Sequence, residues 1–272
     1  YVEQMIYMEE MTLAGAPIEH HRRAVQQVGP SIMLFGSDEQ KRSFLPRIAS
    51  GEISFAMGLS EPDAGSDLAS VTTSAVRSGD DWVVNGRKRF TSGAHYSDYL
   101  WCVTRTNPEA PKHRGISILV VPLKAPGVRV VPLIDMQGRH HFNEVFMDDV
   151  RVPSGNLIGE ENRGWYVNAA TMDFERSGIS RYAFLRRTLD RALGETAALP
   201  SGRRLAGGFE SQRQRLAAAA IRAEVGKQLS YRVTALQSQG EMPNYEVSIA
   251  KLTITETIQQ VCDSGLNLNG MR

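Results

Sequence analysis

The chain has 272 residues, and its 31 Lys and Arg residues nearly balance its 30 Asp and Glu residues, for a net charge of +1. This balance gives no electrostatic attraction to nucleic acid or to an anionic membrane surface, so neither is expected as a partner. No run approaches the roughly 18 consecutive apolar residues of a membrane-spanning helix, and no signal-peptide pattern opens the sequence. The sequence therefore predicts a cytoplasmic protein of bacterial type, with the mitochondrial matrix left open because Tyr1 already lies within a helical pattern.

Residues 1–52 have the spacing of helices with polar faces. Ser37 or Asp38 can cap one of these helices, and Gln40 is placed to complete a capping box. An earlier helix carries a stripe of methionines, which we interpret as core residues rather than cofactor contacts: Met5, Met8 and Met11.

Residues 53–157 change to the pattern of strands, with short runs rich in β-branched and aromatic residues separated by Gly, Pro, Asn and Asp. Asn85 and Gly86 lie between two such runs and predict a hairpin turn. The spacing, without intervening helices, favours a small antiparallel barrel or sandwich. After Gly164 the helical spacing returns almost to the end, and three long runs with alanine-rich faces predict a bundle.

Cysteine and histidine give little indication of a site. Cys102 and Cys262 lie far apart, and we expect both to be buried free thiols in a reducing compartment. The histidines at positions 20–21 and 140–141 are adjacent pairs, whose members cannot both face one metal from a helix or strand. We expect them at the surface or an interface, and we predict no metal site.

The motif SEPDAGSD, residues Ser60 to Asp67, places small, hydroxylated and turn-forming residues directly after a strand-like run. Glycine allows the backbone to approach a planar ring, and hydroxyls with free amides can form hydrogen bonds with the polar edge of such a ring. A surface turn rich in Ser and Asp is the alternative. The later segment NGRKRFTSG, Asn85 to Gly93, is by itself a polar hairpin.

The motif MDFERSG, Met172 to Gly178, places a carboxylate on an apolar helical stripe. At about 100° per residue, Glu175 lies about 60° from Met172 and about 40° from Ile179 around the helix. A buried carboxylate costs several kcal/mol unless it is paired, protonated or used. A salt bridge to a nearby arginine, Arg176 or Arg181, is the structural alternative to a catalytic role.

The helix, strand, helix order and these three motifs resemble the acyl-CoA dehydrogenases, a family of flavoenzymes. The resemblance implies an α+β fold with an N-terminal helical domain (1–52), a central antiparallel β-barrel (53–157) and a C-terminal four-helix bundle (158–272). The first domain is expected to begin before this sequence and the third to end after it. SEPDAGSD differs from the family's motif at Ser60, where threonine is usual.

The resemblance implies that FAD is the cofactor and assigns two segments to it. In the family, Trp, Ile and Thr occupy the places that Phe90, Thr91 and Ser92 have here, and Phe90 lacks the indole N–H of tryptophan. Ser66 is also expected to face the acyl-CoA. The implied cofactor contacts are Met57, Leu59, Ser60, Gly65, Ser66, Phe90, Thr91 and Ser92.

The implied reaction is FAD-dependent α,β-dehydrogenation of an acyl-CoA thioester, an oxidoreductase step of lipid β-oxidation. Some family members carry their base immediately before an arginine on the helix that MDFERSG matches, which assigns Glu175 as the catalytic base. Most members carry it in a later loop, which is expected to lie beyond Arg272 and is the alternative place for the base. Asp173 and Arg176 are assigned to the acyl-CoA. An electron-transfer flavoprotein is the expected electron acceptor. An acyl-CoA oxidase that uses oxygen and a non-catalytic partner subunit are the alternatives.

Residues that the family uses across its subunit interface are replaced in this chain. Ser201 and Arg204 stand in the places of an arginine and a phenylalanine, and Leu266 and Asn269 in those of a glutamine and a glycine. We therefore expect an oligomer, either of identical chains or, as these replacements favour, with a related chain and one FAD per pair. The resemblance extends to bacterial enzymes acting on CoA thioesters of steroid side chains, which suggests a bulky substrate.

Overall fold

A computed structural model describes residues 1–176, 178–199, 208–241 and 243–269, with only the backbone described at Glu175, Arg176 and Asn269. The chain divides into two compact units. Residues 19–174 form the sheet unit, and residues 1–18 with 175–272 form the bundle unit. The predicted boundaries of three domains stay a prediction.

The helices lie at the two ends of the chain, as the sequence predicted. Ser37 and Gln40 form the expected capping box, in which the Gln40 N–H donates to Ser37 Oγ over 3.2 Å and the Ser37 N–H to Gln40 Oε1 over 2.9 Å. A π-helical turn at Ala24–Val28 joins two of the helices. The helices are α1 (Val2–Leu13), α2 (Glu19–Arg23), α3 (Gly29–Phe35), α4 (Asp38–Ala49), α5 (Gly164–Arg176), α6 (Ile179–Ala197), α7 (Phe209–Ser238) and α8 (Tyr245–Asn269).

The strands form one sheet in the order β6-β7-β3-β2-β4-β5-β8, and β1 pairs with β4 outside this path. Their bounds are β1 (Phe55–Gly58), β2 (Ser74–Ser78), β3 (Asp81–Lys88), β4 (Tyr99–Arg105), β5 (Ile116–Pro122), β6 (Val128–Ile134), β7 (His140–Pro153) and β8 (Leu157–Ile158).

The sheet corrects two details of the predicted antiparallel barrel. The sheet is open, because its end strands β6 and β8 do not pair with each other in the part of the chain that the structure describes. Strand β8 has only two residues, and Pro132 in β6 lacks the N–H that further pairing needs. Strand β1 also pairs with β4 in parallel, and β2 meets β4 in parallel at one residue pair, so the sheet is mixed.

The predicted hairpin turn at Asn85–Gly86 is wrong. Ser78 pairs with Asp81, which places the turn of the β2–β3 hairpin at Gly79 and Asp80. Asn85 and Gly86 lie inside β3, where the register with β7 shifts and Gly86 has φ 152°. A Cβ at Gly86 would lie 2.5 Å from Thr73 Oγ1, so glycine is required here by a β-bulge and close packing.

The central strands of the sheet unit are buried on both faces. On β4, Trp101 and Val103 belong to a core shared with the preceding helices and α5, whereas Leu100 and Cys102 belong to a second core with β3 and β7. Because successive residues of a strand point to opposite faces, an uninterrupted apolar run fills both cores.

The bundle unit packs α1 with α6, α7 and α8 around one apolar core. Met8 is buried and Met5 and Met11 pack against the same cluster, which confirms the methionine stripe. The first of the three predicted long helical runs divides into α5 and α6, because Gly178, with φ 92°, adopts the left-handed conformation at the start of α6. Cys262 is exposed on α8, contrary to the prediction, whereas Cys102 is buried; both are free thiols.

Among the described helices, none is long and apolar enough to cross a membrane. In the same residues, no three His, Cys, Asp or Glu side chains gather in a way that could hold a metal ion. Ser201 and Arg204, two of the replaced interface positions, lie outside the described residues, and the Asn269 side chain does too.

Candidate active site

The loop that carries SEPDAGSD follows β1 and folds back on itself. Glu61 and Ala64 exchange backbone hydrogen bonds of 2.8 and 3.3 Å across a tight turn, and both residues are buried. Gly65 and Ser66 lie on the exposed side, and a Cβ built at Gly65 would meet nothing within 4 Å. The loop thus has an anchored base and an open, polar rim.

A buried ion pair anchors the base of this loop. Lys88 Nζ donates to Glu61 Oε1 over 2.8 Å, and the side chains of Lys88 and Glu61 are 0% and 4% exposed. The backbone N–H groups of Thr72 and Thr73 donate to the same carboxylate over 2.7 and 2.9 Å, and the Thr72 hydroxyl adds a bond of 2.8 Å. Lys88 also donates to the carbonyl of Leu59 over 3.3 Å. Both buried charges therefore have several polar partners.

The electrostatics of the pair keep the glutamate ionised. Burial by itself raises the pKa of Glu61, but the positive charge of Lys88 and the hydrogen bonds from Lys88, Thr72 and Thr73 outweigh it and lower the pKa from 4.5 to about 2. Glu61 is therefore ionised at neutral pH, and its negative charge anchors the base of the loop.

The second predicted cofactor segment begins where β3 ends and lies next to the loop. The Arg89 N–H donates to the Ser60 carbonyl over 2.8 Å, so the structure brings the two segments together through Arg89 and through the adjacent Lys88. Phe90 has φ 56°, unusual for a bulky residue, and its side chain is among the exposed large hydrophobic groups, at 58%. Its ring is thus presented to solvent, with the Arg89 guanidinium 5.0 Å from its centroid and the Phe142 ring edge-on at 6.2 Å.

Thr91 and Ser92 differ in their exposure. Thr91 is fully buried, its N–H donates to the Asn143 carbonyl over 2.9 Å, and its carbonyl accepts from the Asn143 N–H over 3.1 Å. Its hydroxyl has no hydrogen-bond partner. Ser92 is half-buried. Because Asn143 bonds to both the N–H and the carbonyl of Thr91, the position of Thr91 fixes where its neighbours Phe90 and Ser92 lie.

The remaining predicted site residues have varied environments. Met57 and Leu59 are half-buried and pack against the core, and Ser60 is half-buried at the start of the loop. Asp173 is half-buried on α5. The backbone of Glu175 and Arg176 is helical, as predicted, and their side chains lie outside the described part of the chain.

Sequence reasoning assigned no role to Lys88 or Asn143, although both are central to this arrangement. Lys88 is an even number of residues from the buried apolar residues Trp82 and Val84 on the same strand. That alternation could have indicated a buried lysine, which needs a carboxylate partner. Asn143 carries no comparable signal, because its role depends on contacts distant in sequence.

Three family models match the chain in sequence order. They are the acyl-CoA dehydrogenase N-terminal domain at residues 1–52, the middle domain at residues 56–150 and the C-terminal domain at residues 162–272. The chain belongs to the acyl-CoA dehydrogenase family. This confirms the predicted fold class, and the family is one of FAD-containing flavoproteins of lipid β-oxidation.

Relatives and solved structures extend this finding. Acyl-CoA dehydrogenase FadE29 of Mycobacterium tuberculosis is 47% identical over 175 residues, which are 64% of this chain and 45% of that protein. The ChsE4-ChsE5 complex from Mycobacterium tuberculosis contains a chain that is 39% identical, with a TM-score of 0.82 over 98% of this chain and 68% of that one. The steroid ACAD Tcur3481-Tcur3483 is 35% identical, with a TM-score of 0.86 over 98% of this chain and 68% of that one.

The chain spans less than half the length of two curated relatives that it matches, 45% of FadE29 and 44% of FadE26 from Mycobacterium tuberculosis.

The described residues fit a flavin of this acyl-CoA dehydrogenase family. The rim at Gly65 and Ser66 offers open backbone, and the segment that is joined to the loop through Arg89 and Ser60 offers the exposed aromatic ring of Phe90. Ser92, half-buried, follows the segment that Asn143 holds. Thr91, by contrast, has its side chain and N–H directed into the protein, which gives it a positioning role beside the predicted contacts.

Proposed function

We propose that this chain is the acyl-CoA dehydrogenase subunit that performs FAD-dependent α,β-dehydrogenation of an acyl-CoA thioester. The observation that supports this most is the junction of the two cofactor segments, through the 2.8 Å ion pair of Lys88 and Glu61 and the 2.8 Å bond from Arg89 to Ser60. Two segments that are distant in sequence are thereby joined, one with an exposed polar rim and the other with an exposed aromatic ring.

FAD is held, in this proposal, by the loop and by the end of β3. Met57, Leu59 and Ser60 supply the buried side of the contact, and Gly65 and Ser66 supply the open side. Phe90 covers the ring, while Ser92 donates a hydrogen bond towards the edge of the ring where negative charge grows on reduction. When bound, FAD supplies the acceptor for the hydride that leaves the β-carbon of the substrate.

Glu175 is the proposed catalytic base on α5. Val167, Asn168 and Thr171 are buried on this helix, and residue 175 continues the same row at helical spacing. The carboxylate removes the proton from the carbon next to the thioester carbonyl, which is acidified by that carbonyl. A site that excludes water raises the pKa of such a base towards the operating pH, which strengthens it. Asp173 and Arg176 contact the acyl-CoA, together with Ser66.

The substrate and partner follow from the similar proteins. Two of the structural neighbours, ChsE4-ChsE5 and Tcur3481-Tcur3483, are pairs of chains, and the second is a steroid ACAD. Leu266, in the place of an interface glutamine, is 71% exposed. We therefore propose a hetero-oligomer with a related chain, a bulky acyl group of steroid type, an electron-transfer flavoprotein as electron acceptor, and a cytoplasmic location.

The test is anaerobic loss of flavin absorbance on adding acyl-CoA thioesters of fatty and steroid type. It compares the wild type, Glu175→Gln and the control Glu160→Gln, an exposed glutamate before the same helix. We expect absorbance loss in the wild type and the control, and at least a hundredfold slower loss in Glu175→Gln, because one proton-transfer group contributes about 10²–10⁴-fold.

Other outcomes identify which part of the proposal fails. Equal rates in Glu175→Gln and the wild type would move the base to another residue. Turnover in air without an added acceptor would make the protein an acyl-CoA oxidase. Flavin that binds fully and stably to the chain alone, at one per subunit, would contradict the hetero-oligomer.

A further inference from the structure

Asn143, near the start of β7, is fully buried, and both N–H groups of its side-chain amide and its Oδ1 have hydrogen-bond partners. Nδ2 donates to the Thr91 carbonyl over 3.0 Å and to His95 Nδ1 over 3.1 Å. Oδ1 lies 2.7 Å from His140 Nε2. Together with the two backbone bonds to Thr91, the residue binds the middle of the segment Phe90–Ser92 from one side.

We propose that Asn143 is a positioning residue for the cofactor segment Phe90–Ser92, and that it holds this segment only while His95 is neutral. The inference rests on the proposed function for the meaning of the segment, but not for the hydrogen-bond network itself. No part of it assigns Asn143 or His95 to contact with substrate or cofactor.

The hydrogen-bond roles in the network fix the tautomers of both histidines. The two Nδ2 protons of Asn143 are used by Thr91 and His95, so His95 Nδ1 must carry a lone pair. Oδ1 of Asn143 can only accept, so His140 Nε2 must carry a proton. Neutral His95 therefore has its proton on Nε2, and so does neutral His140.

The surroundings of His95 disfavour its protonation. Its ring stacks on His140 with centroids 3.9 Å apart, and Tyr96 meets it edge-on at 4.7 Å. His20 of α2 and His141 of β7 are the other titratable groups nearby, and His20 itself packs on Tyr96 at 3.9 Å. Burial first, then the charges of His140, His141 and His20, lower the pKa of His95, and the hydrogen bond with Asn143 offsets part of this.

Protonation of His95 would break the network at one identifiable bond. A proton on Nδ1 would face the Nδ2 proton of Asn143, so the 3.1 Å bond becomes a donor-donor contact. The added charge would also lie against the stacked ring of His140. The Asn143 side-chain amide then has to rotate, and its hydrogen bond to the Thr91 carbonyl breaks.

The segment needs this support because of the backbone next to Thr91. Phe90 has φ 56°, a conformation that a bulky residue adopts only when its surroundings impose it. Its neighbour Thr91 is the residue that Asn143 holds by backbone and side chain together. Loss of the amide contact therefore frees the Phe90 backbone to relax, and the exposed aromatic ring changes its position.

The first test reads the tautomers directly and needs no cofactor. Long-range proton-nitrogen NMR of the ¹⁵N-histidine-labelled chain, assigned with His95→Asn and His140→Asn, reports which ring nitrogen carries the proton. We expect the Nε2–H form at both residues above neutral pH and a His95 pKa below the ordinary value of histidine. A proton on His95 Nδ1 at neutral pH would overturn the proposal.

The second test reverses the network with one substitution. In Asn143→Asp the side chain can only accept, so it favours a protonated His95. FAD binding is measured by flavin fluorescence. In the wild type we expect the affinity for FAD to be about fivefold weaker when His95 is protonated, which corresponds to the loss of one hydrogen bond. In Asn143→Asp the pH dependence should have the opposite sign, and in the control His113→Asn it should be unchanged.

The two tests separate this inference from the proposed function. If FAD does not bind but the tautomers are as expected, the proposed function fails and the network stands. If FAD binds and the pH dependence has the same sign in the wild type and Asn143→Asp, the positioning role is contradicted.

Discussion

The two units each contain a buried glutamate paired with a lysine. The pairs differ in closure, by which we mean how completely the two side chains are excluded from solvent. In the sheet unit, Glu61 and Lys88 are 4% and 0% exposed and their charged atoms lie 2.8 Å apart. In the bundle unit, Glu9 and Lys227 are 8% and 29% exposed and lie 3.6 Å apart. The Tyr231 hydroxyl also donates to Glu9 over 2.8 Å.

The difference shows what each pair does for its unit. Lys88 is the cationic partner of Glu61, and no solvent can replace it at a fully buried position. Lys227 is partly solvated and lies over the rings of Tyr182 and Tyr231, at 5.6 and 5.4 Å from their centroids. Burial lowers the pKa of Lys227, but Tyr182, Glu9 and Tyr231 outweigh it and raise the pKa. In the described residues, Lys88 is the one cation that forms an ion pair with Glu61, whereas the charge of Lys227 is shared among Glu9 and two tyrosine rings.

Lys88→Met should give the largest loss of stability, about 3–5 kcal/mol, because it leaves the charge of Glu61 buried and unpaired. Chemical denaturation followed by tryptophan fluorescence measures it, since Trp82 and Trp101 are buried in the sheet unit. The matched variant Lys227→Met should lose only about 1 kcal/mol by far-UV circular dichroism, because Tyr231 still donates to Glu9. Equal losses in the two variants would mean that exclusion from solvent does not determine how much stability is lost when the lysine is removed.

Acid should destabilise the sheet unit through Glu61. Its pKa is about 2 in the folded chain and 4.5 as the ordinary value, so the fold favours the ionised form. The stabilisation, about 3 kcal/mol at about 1.4 kcal/mol per pKa unit, is fully present above pH 4.5 and is lost as the pH falls towards 2. Denaturation midpoints measured between pH 6 and pH 2.5 check this.

The double variant Glu61→Gln with Lys88→Met is the control for the acid effect. It removes both charges, so its stability should fall less between pH 4.5 and 2.5 than that of the wild type. An unchanged acid dependence in this variant would assign the effect to other carboxylates of the chain.

The fold class could be predicted from the sequence because it depends on local patterns, and the assignment of the two segments to the cofactor stays a prediction. Helix caps such as Ser37 with Gln40, and the alternation that buries Trp82 and Val84, are readable from neighbouring residues. The bulge at Gly86 was not readable, since the same Asn-Gly pair serves a turn or a bulge according to its strand partner.

The parts of the site that sequence reasoning missed depend on contacts between distant residues. Asn143 meets Thr91, His95 and His140 only because β7 returns beside the end of β3. His140 and His141 are exposed, as the sequence analysis expected. The Asn143 side-chain amide, which bonds to His140, determines which ring nitrogen of His140 carries the proton. Polar networks of this kind follow from topology rather than from spacing.

Tyr231→Phe should give a loss of about 1 kcal/mol from the bundle unit, as small as that of Lys227→Met. The substitution removes the 2.8 Å bond to Glu9 but keeps the ring that packs against the bundle core, and Lys227 still neutralises the carboxylate. Thermal unfolding followed by far-UV circular dichroism measures the loss, with the exposed Tyr7→Phe on α1 as the control. A loss as large as that of Lys88→Met would show that Glu9 depends on the hydroxyl alone, and the two pairs would then differ in partner rather than in closure.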